Sequence, residues 1–228
     1  MTSLIFGDPV AWPDHDVVGI STEFSIGMVV EAYAHGVFPM PVEVHGSPEM
    51  AWFSPRRRGV LPLHGLRVTR SLRKMVKRYR VTADTAFDRV VAKCADPDRE
   101  GAWINERIAT LYGQLHQRGL AHSVECWDGD DNLVGGLYGV GLGGLFAGES
   151  MFHDPERGRD ASKVALVRLV DFLNGAGGER LLDVQWRTDH LATLGVIEID
   201  RYDYLDRLRQ VLPTPAPSWA SMPESWSI

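Results

Sequence analysis

Three strand-like runs follow one another between residues 121 and 150, and a long apolar helix comes directly after them. Residues 121–127 and 132–140 flank the turn Asp128–Asp131 as a hairpin, and 145–150 makes a third consecutive strand. Residues 161–173 then form an apolar helical pattern closed by Asn174-Gly175. Upstream lie a helix at 70–77, a short strand at 79–82 and a helix at 85–94 with Phe87, Val90, Val91 and Cys94 on one side. A further helix at 104–118 places Ile104, Ile108, Leu111, Tyr112 and Leu115 on one face and stops at Gly119. Downstream come a strand at 181–185, a short helix at 190–194, a strand at 196–202 and a helix at 204–211. A meander of strands interrupted by helices has one economical solution: helices covering a mixed sheet in an α+β domain.

That order predicts the acyl-CoA N-acyltransferase (GNAT) type of arrangement for residues 65–228. Residues 1–20, with Pro9, Pro13 and several acids, read as an irregular lead-in, and 21–36 as a helix capped by Ser21 or Thr22 and ended by Gly36. Residues 38–59 are rich in Pro and aromatics and read mainly as loop, with short strands around 51–53 and 60–63. A boundary near 63–66 sets off a small N-terminal domain, 1–64, and the Pro/Ser/Trp tail 212–228 is expected to be loosely attached.

Polar groups inside apolar strands mark the chemistry. Glu149 sits among Leu145, Phe146, Ala147, Met151 and Phe152, where a lone buried charge costs several kcal/mol. It is either a surface residue at a strand end or a charge kept in an apolar cleft. Asp183 and Gln185, two apart on a strand, face one side while Val184 faces the other. Three polar groups converging on an apolar cleft make the usual form of a ligand site.

Charge is unevenly spread. The net charge is −6, yet residues 56–80 carry ten Lys/Arg and no acid, leaving 14 basic residues against 30 acidic ones elsewhere, a remainder of −16. Such a segment is either a solvated basic helix or a polyanion site, and Arg70, Arg73, Lys74 and Lys77 share helical spacing.

Several classes are excluded. GVGLGG (139–144) fits G-x-G-x-x-G, but the run after it is strand-like, so the glycines serve a turn between strands rather than a dinucleotide. The loop HDPERGRDAS (153–162) lacks the Gln/Arg-x-x-Gly-x-Gly/Ala pattern that cradles the CoA pyrophosphate. His35, His122 and His190 share no metal spacing, and no G-x-S-x-G is present. Cys94 and Cys126 make no disulfide framework, no apolar run reaches the roughly 20 residues of a membrane helix, and the N-terminus lacks a basic signal-peptide region. A cytoplasmic protein is expected.

The stretches AYAHGVFPM (32–40), MAWFSPRRRGVLPL (50–63), LRVTRSLRK (66–74), LFAGESMF (145–152) and LLDVQWRTDHLATLG (181–195) resemble the bacterial leucyl/phenylalanyl-tRNA–protein transferase family. The resemblance runs in order through roughly residues 30–205. It implies transfer of Leu or Phe, and more weakly Met, from tRNA to the α-amino group of proteins beginning with Lys or Arg, creating a degradation signal. It implies no cofactor and no metal, a monomer, and aminoacyl-tRNA and acceptor proteins as partners. By motif it makes Glu149, Asp183 and Gln185 the catalytic centre and Leu137, Phe146, Leu169 and Leu182 the donor side-chain pocket. Trp52, Trp103 and Tyr112 would lie at the terminal adenosine, and Arg67, Arg70, Arg73, Lys74, Lys77 and Arg78 on the tRNA backbone. Met40 stands where the family usually has Trp, and the 153–160 loop is longer than usual. The alternative within the same fold is a CoA-dependent N-acyltransferase.

Overall fold

The computed structural model describes residues 6–99 and 103–223. In chain order the elements are β1 (Val17–Ser21), α1 (Ile26–Ala34), β2 (Phe38–Val44), β3 (Ser47–Phe53), β4 (Arg57–Leu61), α2 (Arg70–Val76), β5 (Arg80–Ala83), α3 (Phe87–Cys94), α4 (Glu106–Gln117), β6 (Ala121–Trp127), β7 (Leu133–Leu142), β8 (Leu145–His153), α5 (Ala161–Gly175), β9 (Leu181–Gln185), α6 (Asp189–Thr193), β10 (Ile197–Asp200) and α7 (Arg201–Val211). The class is α+β, as the order of patterns predicts.

The strands form two sheets. The smaller has the order β1-β3-β2, and the larger β10-β4-β9-β8-β7-β6-β5. The large sheet is antiparallel except at β8–β9. Each of its faces carries a core. On one side Tyr33 of α1, Val90 of α3, Ile108 of α4 and Leu205 of α7 pack together. On the other, α5 is the central helix, flanked by Leu72 of α2 and Leu194 after α6. The amphipathic faces read from the sequence, Phe87/Val90/Val91/Cys94 and Ile108/Leu111/Tyr112/Leu115, are the buried ones. Capping fixes the helix starts: the Asn105 side chain accepts from the Ile108 amide (3.0 Å), and Thr69 from the Leu72 amide (3.2 Å).

Four expectations need correction. The first helix begins at Ile26 with Ser25 as its cap, because Ser21 belongs to β1 and accepts the Trp52 indole N–H at 2.9 Å. β1 and most of the β2–β3 hairpin lie where irregular chain was expected. Pro39 and Pro41 obscure β2, but they are two apart on an edge strand, where missing N–H donors break no ladder. The strand expected at 60–63 is β4, which pairs with β9 and β10 inside the large sheet, although the boundary drawn from sequence falls after it. The tail, over its described part 212–223, is docked: Trp219 is 9% exposed and stacks on His122 at 4.1 Å. Residues 224–228 of the tail and 1–5 of the lead-in lie outside the described residues.

Two irregularities in the large sheet set up a site. β8 and β9 pair only at Leu145↔Leu181, Phe146↔Leu182 and Ala147↔Asp183, while β8 runs on to His153, so the parallel seam opens after Ala147. At the same level β7 and β8 shift register between Tyr138↔Ser150 and Gly139↔Gly148, leaving Glu149 as the extra residue of a β-bulge. Gly139 permits it: a Cβ there would lie 2.2 Å from the Ala147 carbonyl oxygen. The turn at Gly143–Gly144 joins β7 to β8, the role expected for the glycine-rich run.

Candidate active site

Glu149 is partly exposed at the opened seam and held from three elements. Tyr33 of α1 donates its hydroxyl to Oε1 at 2.7 Å, Tyr112 of α4 donates to Oε2 at 3.0 Å, and the Gln185 amide donates to Oε1 at 3.3 Å. The two tyrosine hydroxyls lie 2.7 Å apart. Burial pushes the Glu149 carboxyl up to about 7, against the opposing hydrogen bonds of Tyr33 and Tyr112, with nearby Asp183 adding to the rise. Burial likewise raises the Tyr33 and Tyr112 hydroxyls well above the usual phenol range, with the Glu149 charge adding to it.

Asp183 is 0% exposed and fully engaged. Arg58 of β4 grips it with two bonds, Nε to Oδ1 at 2.8 Å and Nη2 to Oδ2 at 2.6 Å. The Tyr204 hydroxyl donates to Oδ2 at 3.0 Å and the Gln185 backbone N–H to Oδ1 at 2.9 Å. Arg58 also donates to the Gly36 carbonyl at 2.9 Å and lies over the rings of Phe38 and Tyr204, 4.8 and 4.3 Å from their centroids. Burial works against the Arg58 charge, but the Asp183 carboxylate prevails and holds the guanidinium protonated.

Gln185 links the two carboxylates, its backbone on Asp183 and its side chain on Glu149. Its φ of 57° is left-handed, uncommon for a residue with a side chain. β4 accommodates this strand end through a register shift at Gly59, where a Cβ would lie 2.7 Å from the Trp186 backbone. The three polar residues singled out from the sequence are therefore one connected network. Val184 packs in the opposite core, as the alternation requires.

Leu137, Phe146, Leu169 and Leu182 are together in the α5-side core, each buried. Phe146 and Leu182 are paired across the parallel seam one position before Ala147↔Asp183, where it opens. The expected adenosine contacts Trp52, Trp103 and Tyr112 belong to the same core but differ in access. Trp52 is 1% exposed, packs on Phe6 and Phe24 and spends its N–H on Ser21, so no ring face is open for a base. Tyr112 is 0% exposed and bound to Glu149, while Trp103 is partly exposed before α4.

Arg67, Arg70, Arg73, Lys74, Lys77 and Arg78 are all exposed, and among the described residues none is paired with a carboxylate. Arg58, from the same basic run, is the exception turned inward. Sequence reasoning also passed over Tyr33 and Tyr204, which fall in helix patterns with no role assigned; their buried hydroxyls reveal them. A cavity of about 820 Å³ between the end of α5 and the tail, lined by Asp171, Arg180 and Ser218, shares no residue with this network. No group of described residues has the make-up of a metal site.

A family model described as "Leucyl/phenylalanyl-tRNA protein transferase" matches residues 60–209, and one for its N-terminal domain matches 22–56. The chain belongs to the leucyl/phenylalanyl-tRNA protein transferase family. Glu149, Asp183 and Gln185 lie within the matched residues, and Arg58 falls in the short gap between the two matches. The chain is 52% identical over 196 residues to the leucyl/phenylalanyl-tRNA–protein transferase of Caulobacter vibrioides, covering 84% of this chain and 88% of that one. It is 48% identical over 204 residues to the transferase of the same name from Afipia carboxidovorans, covering 88% and 87%. Among solved structures, "The structure of L-PGS from Bacillus licheniformis" aligns over 76% of this chain and 57% of its own, with 10% identity and a TM-score of 0.38. The α+β class rests on the strand order of this chain itself.

Proposed function

We propose that this member of the family transfers Leu or Phe, and Met less well, from the tRNA ester to the N-terminal α-amino group of proteins beginning with Lys or Arg, which marks them for degradation. The observation that carries the reading is the opened β8–β9 seam, where partly exposed Glu149 and the Gln185 amide meet on one face and buried Phe146 and Leu182 pack on the other. An aminoacyl ester is already activated, so the site needs to position an amine against a carbonyl carbon and support the developing charge. Glu149 exchanges protons with the reacting groups and Gln185 orients the attacking amine. Asp183, wholly occupied by Arg58, Tyr204 and the Gln185 backbone, positions Gln185 instead of meeting the substrate.

The remaining assignments follow the same reading. Leu137, Phe146, Leu169 and Leu182 shape the donor pocket, and Trp103 meets the terminal adenosine. The unpaired cations on and around α2 hold tRNA phosphates without reading bases. The sheet that opens at its one parallel seam supports a GNAT-like arrangement for the larger part of the chain, working as a cytoplasmic monomer with no cofactor. In the 153–160 loop the amides of Glu156 and Arg157 are already bound to Asp154 Oδ1, each at 2.9 Å, which disfavours the CoA alternative.

The test is transfer of labelled Leu from charged tRNA to an Arg- or Lys-initiated acceptor, with an Ala-initiated control and an acetyl-CoA titration read by thermal shift. Label in the basic acceptors alone and no acetyl-CoA shift is the expected result. Equal labelling of all three acceptors, or none, overturns the reading.

A further inference from the structure

Three oxygen–oxygen contacts close a ring in the active site: Glu149 Oε1 to Tyr33 Oη at 2.7 Å, Tyr33 Oη to Tyr112 Oη at 2.7 Å, and Tyr112 Oη to Glu149 Oε2 at 3.0 Å. Each contact needs one proton to be a hydrogen bond, and the two phenols supply two. With Glu149 ionised, one contact sets lone pair against lone pair. With Glu149 protonated, all three are filled in one direction around the ring.

We propose that Glu149, Tyr33 and Tyr112 form a closed three-proton ring that acts as the acid–base device of the transfer. The inference rests on the transferase reading and deepens it. The acceptor's neutral amine attacks the ester carbonyl carbon and the N–C bond forms. The ring, through the Glu149 carboxyl, gives a proton to the 3′-oxygen as the C–O bond breaks. The ionised Glu149 then removes a proton from the new amide nitrogen, and the ring ends with the three protons it began with. A concerted shift around the ring moves the carboxyl proton between Oε1 and Oε2, so one carboxyl can give at one oxygen and receive at the other. Oε1, which also accepts from Gln185, marks the side where the amine is oriented. Glu149 is the catalytic residue, and Tyr33 and Tyr112 are positioning residues.

The surroundings suit a neutral resting carboxyl. Tyr138, whose buried hydroxyl has no hydrogen-bond partner among the described residues, stands edge-on to Tyr112 at 5.6 Å, and the Asp183 charge is cancelled by Arg58. Besides these, Gln185 on β9 faces Glu149, and Arg99 reaches the neighbouring Met151 carbonyl at 2.6 Å. Burial that lifts the Glu149 carboxyl to about 7 is consistent with the proton count.

Transfer from leucyl-tRNA to an Arg-initiated peptide, measured across pH for the wild type, Tyr33→Phe, Tyr112→Phe and Glu149→Gln, tests the ring. All four chains meet the same acceptor amine, so differences in their profiles belong to the ring. In the wild type, kcat falls as pH rises through Glu149 ionisation. On this count each Phe variant takes two filled contacts from the protonated ring but only one from the ionised site, whose lone-pair contact it also relieves, so this falling limb moves down in pH. Mixed H₂O/D₂O rates are expected to bow for the wild type, with several protons in flight, and to become linear in either Phe variant. Glu149→Gln loses the limb and about 10²–10³-fold in kcat. Unmoved limbs and unchanged proton inventories in both Phe variants, with only KM altered, overturn the ring.

The resting state is read without turnover. In ¹³C-Glu-labelled protein, a carboxyl signal missing from Glu149→Gln is expected to titrate near 7 and to move down in Tyr33→Phe. A Glu149 already ionised at pH 5.5 overturns the ring even if transfer is normal. A wild type that labels no acceptor overturns the transferase reading, while this titration still decides the proton count.

Discussion

Arg58 and Asp183, 125 residues apart in sequence, form a two-bonded ion pair of 2.8 and 2.6 Å with exposures of 1% and 0%. Removing one partner leaves an uncompensated charge in the core, a loss of about 3–5 kcal/mol. Arg58→Met and Asp183→Asn are each expected to lower stability on that scale in urea denaturation, and the double variant to lose less than the sum. The pair also anchors the left-handed Gln185 backbone. Asp183→Asn should therefore cut kcat strongly while leaving the KM for charged tRNA close to wild type.

Glu149 sets activity against stability. Its folded pKa is raised above the unfolded value, so its contribution is fully present below about 4.3 and is lost as pH rises through about 7. The loss amounts to about 2–3 kcal/mol between those limits. Glu149→Gln keeps the shape and cannot ionise. It is expected to match wild-type Tm at pH 5, exceed it at pH 8, and transfer very little. Melting curves of both chains at the two pH values decide it.

These two carboxylates show what the sequence carried and what it could not. Glu149, Asp183 and Gln185 were legible because polar groups in apolar strands need partners, and strand alternation put Asp183 and Gln185 on one side. Their convergence was then borne by the network that joins them. Arg58 was hidden by Arg56 and Arg57: a charge run suggests a surface, and the partner that draws Arg58 inward lies far along the chain. Tyr33 read only as part of the 21–36 helix, since a hydroxyl's partner leaves no local pattern. The long helices announced themselves by period, whereas β2 was masked by Pro39 and Pro41, whose tolerance depends on its being an edge strand. β4's place between β9 and β10 is likewise a non-local choice.

The exposed cations around α2 predict a salt effect. If Arg70, Lys74 and Lys77 each neutralise about one phosphate, their combined replacement by Ala removes about 2–3 from the slope of log affinity against log salt. The expected result is a raised KM for charged tRNA at low salt that converges on wild type at high salt. Transfer from leucyl-adenosine, which has no phosphate to lose, should be unchanged. Steady-state rates over a salt series with both donors check this.

Donor choice should follow the volume left beside Phe146 and Leu182. One methylene in an apolar pocket is worth about 1–3 kcal/mol in discrimination. Leu182→Ala enlarges the floor, and is expected to favour Phe over Leu by about tenfold or more in relative kcat/KM. Leu137→Phe fills it, and should disfavour Phe as donor. Competition between the two charged tRNAs in one reaction gives the ratio directly.

The docked tail packs against Phe146, a wall of the proposed donor pocket. Trp219 lies between the His122 ring, stacked at 4.1 Å, and Phe172 at 5.1 Å, and its ring is tilted against Phe146 at 5.4 Å. Phe146 thus has a pocket-side neighbour, Leu182, and a tail-side neighbour, Trp219. Trp219→Ala removes a mostly buried ring, for a loss of about 3 kcal/mol in stability. Because a cavity behind Phe146 lets its ring move, the Leu-to-Phe preference should shift by several-fold as well. Trp219→Phe, which keeps an aromatic wedge, should restore most of the Tm and the preference together. A Trp219→Ala chain with lowered Tm but wild-type donor preference would show that the tail stabilises the fold without shaping the pocket. Thermal melts and donor competition on the three chains separate those outcomes.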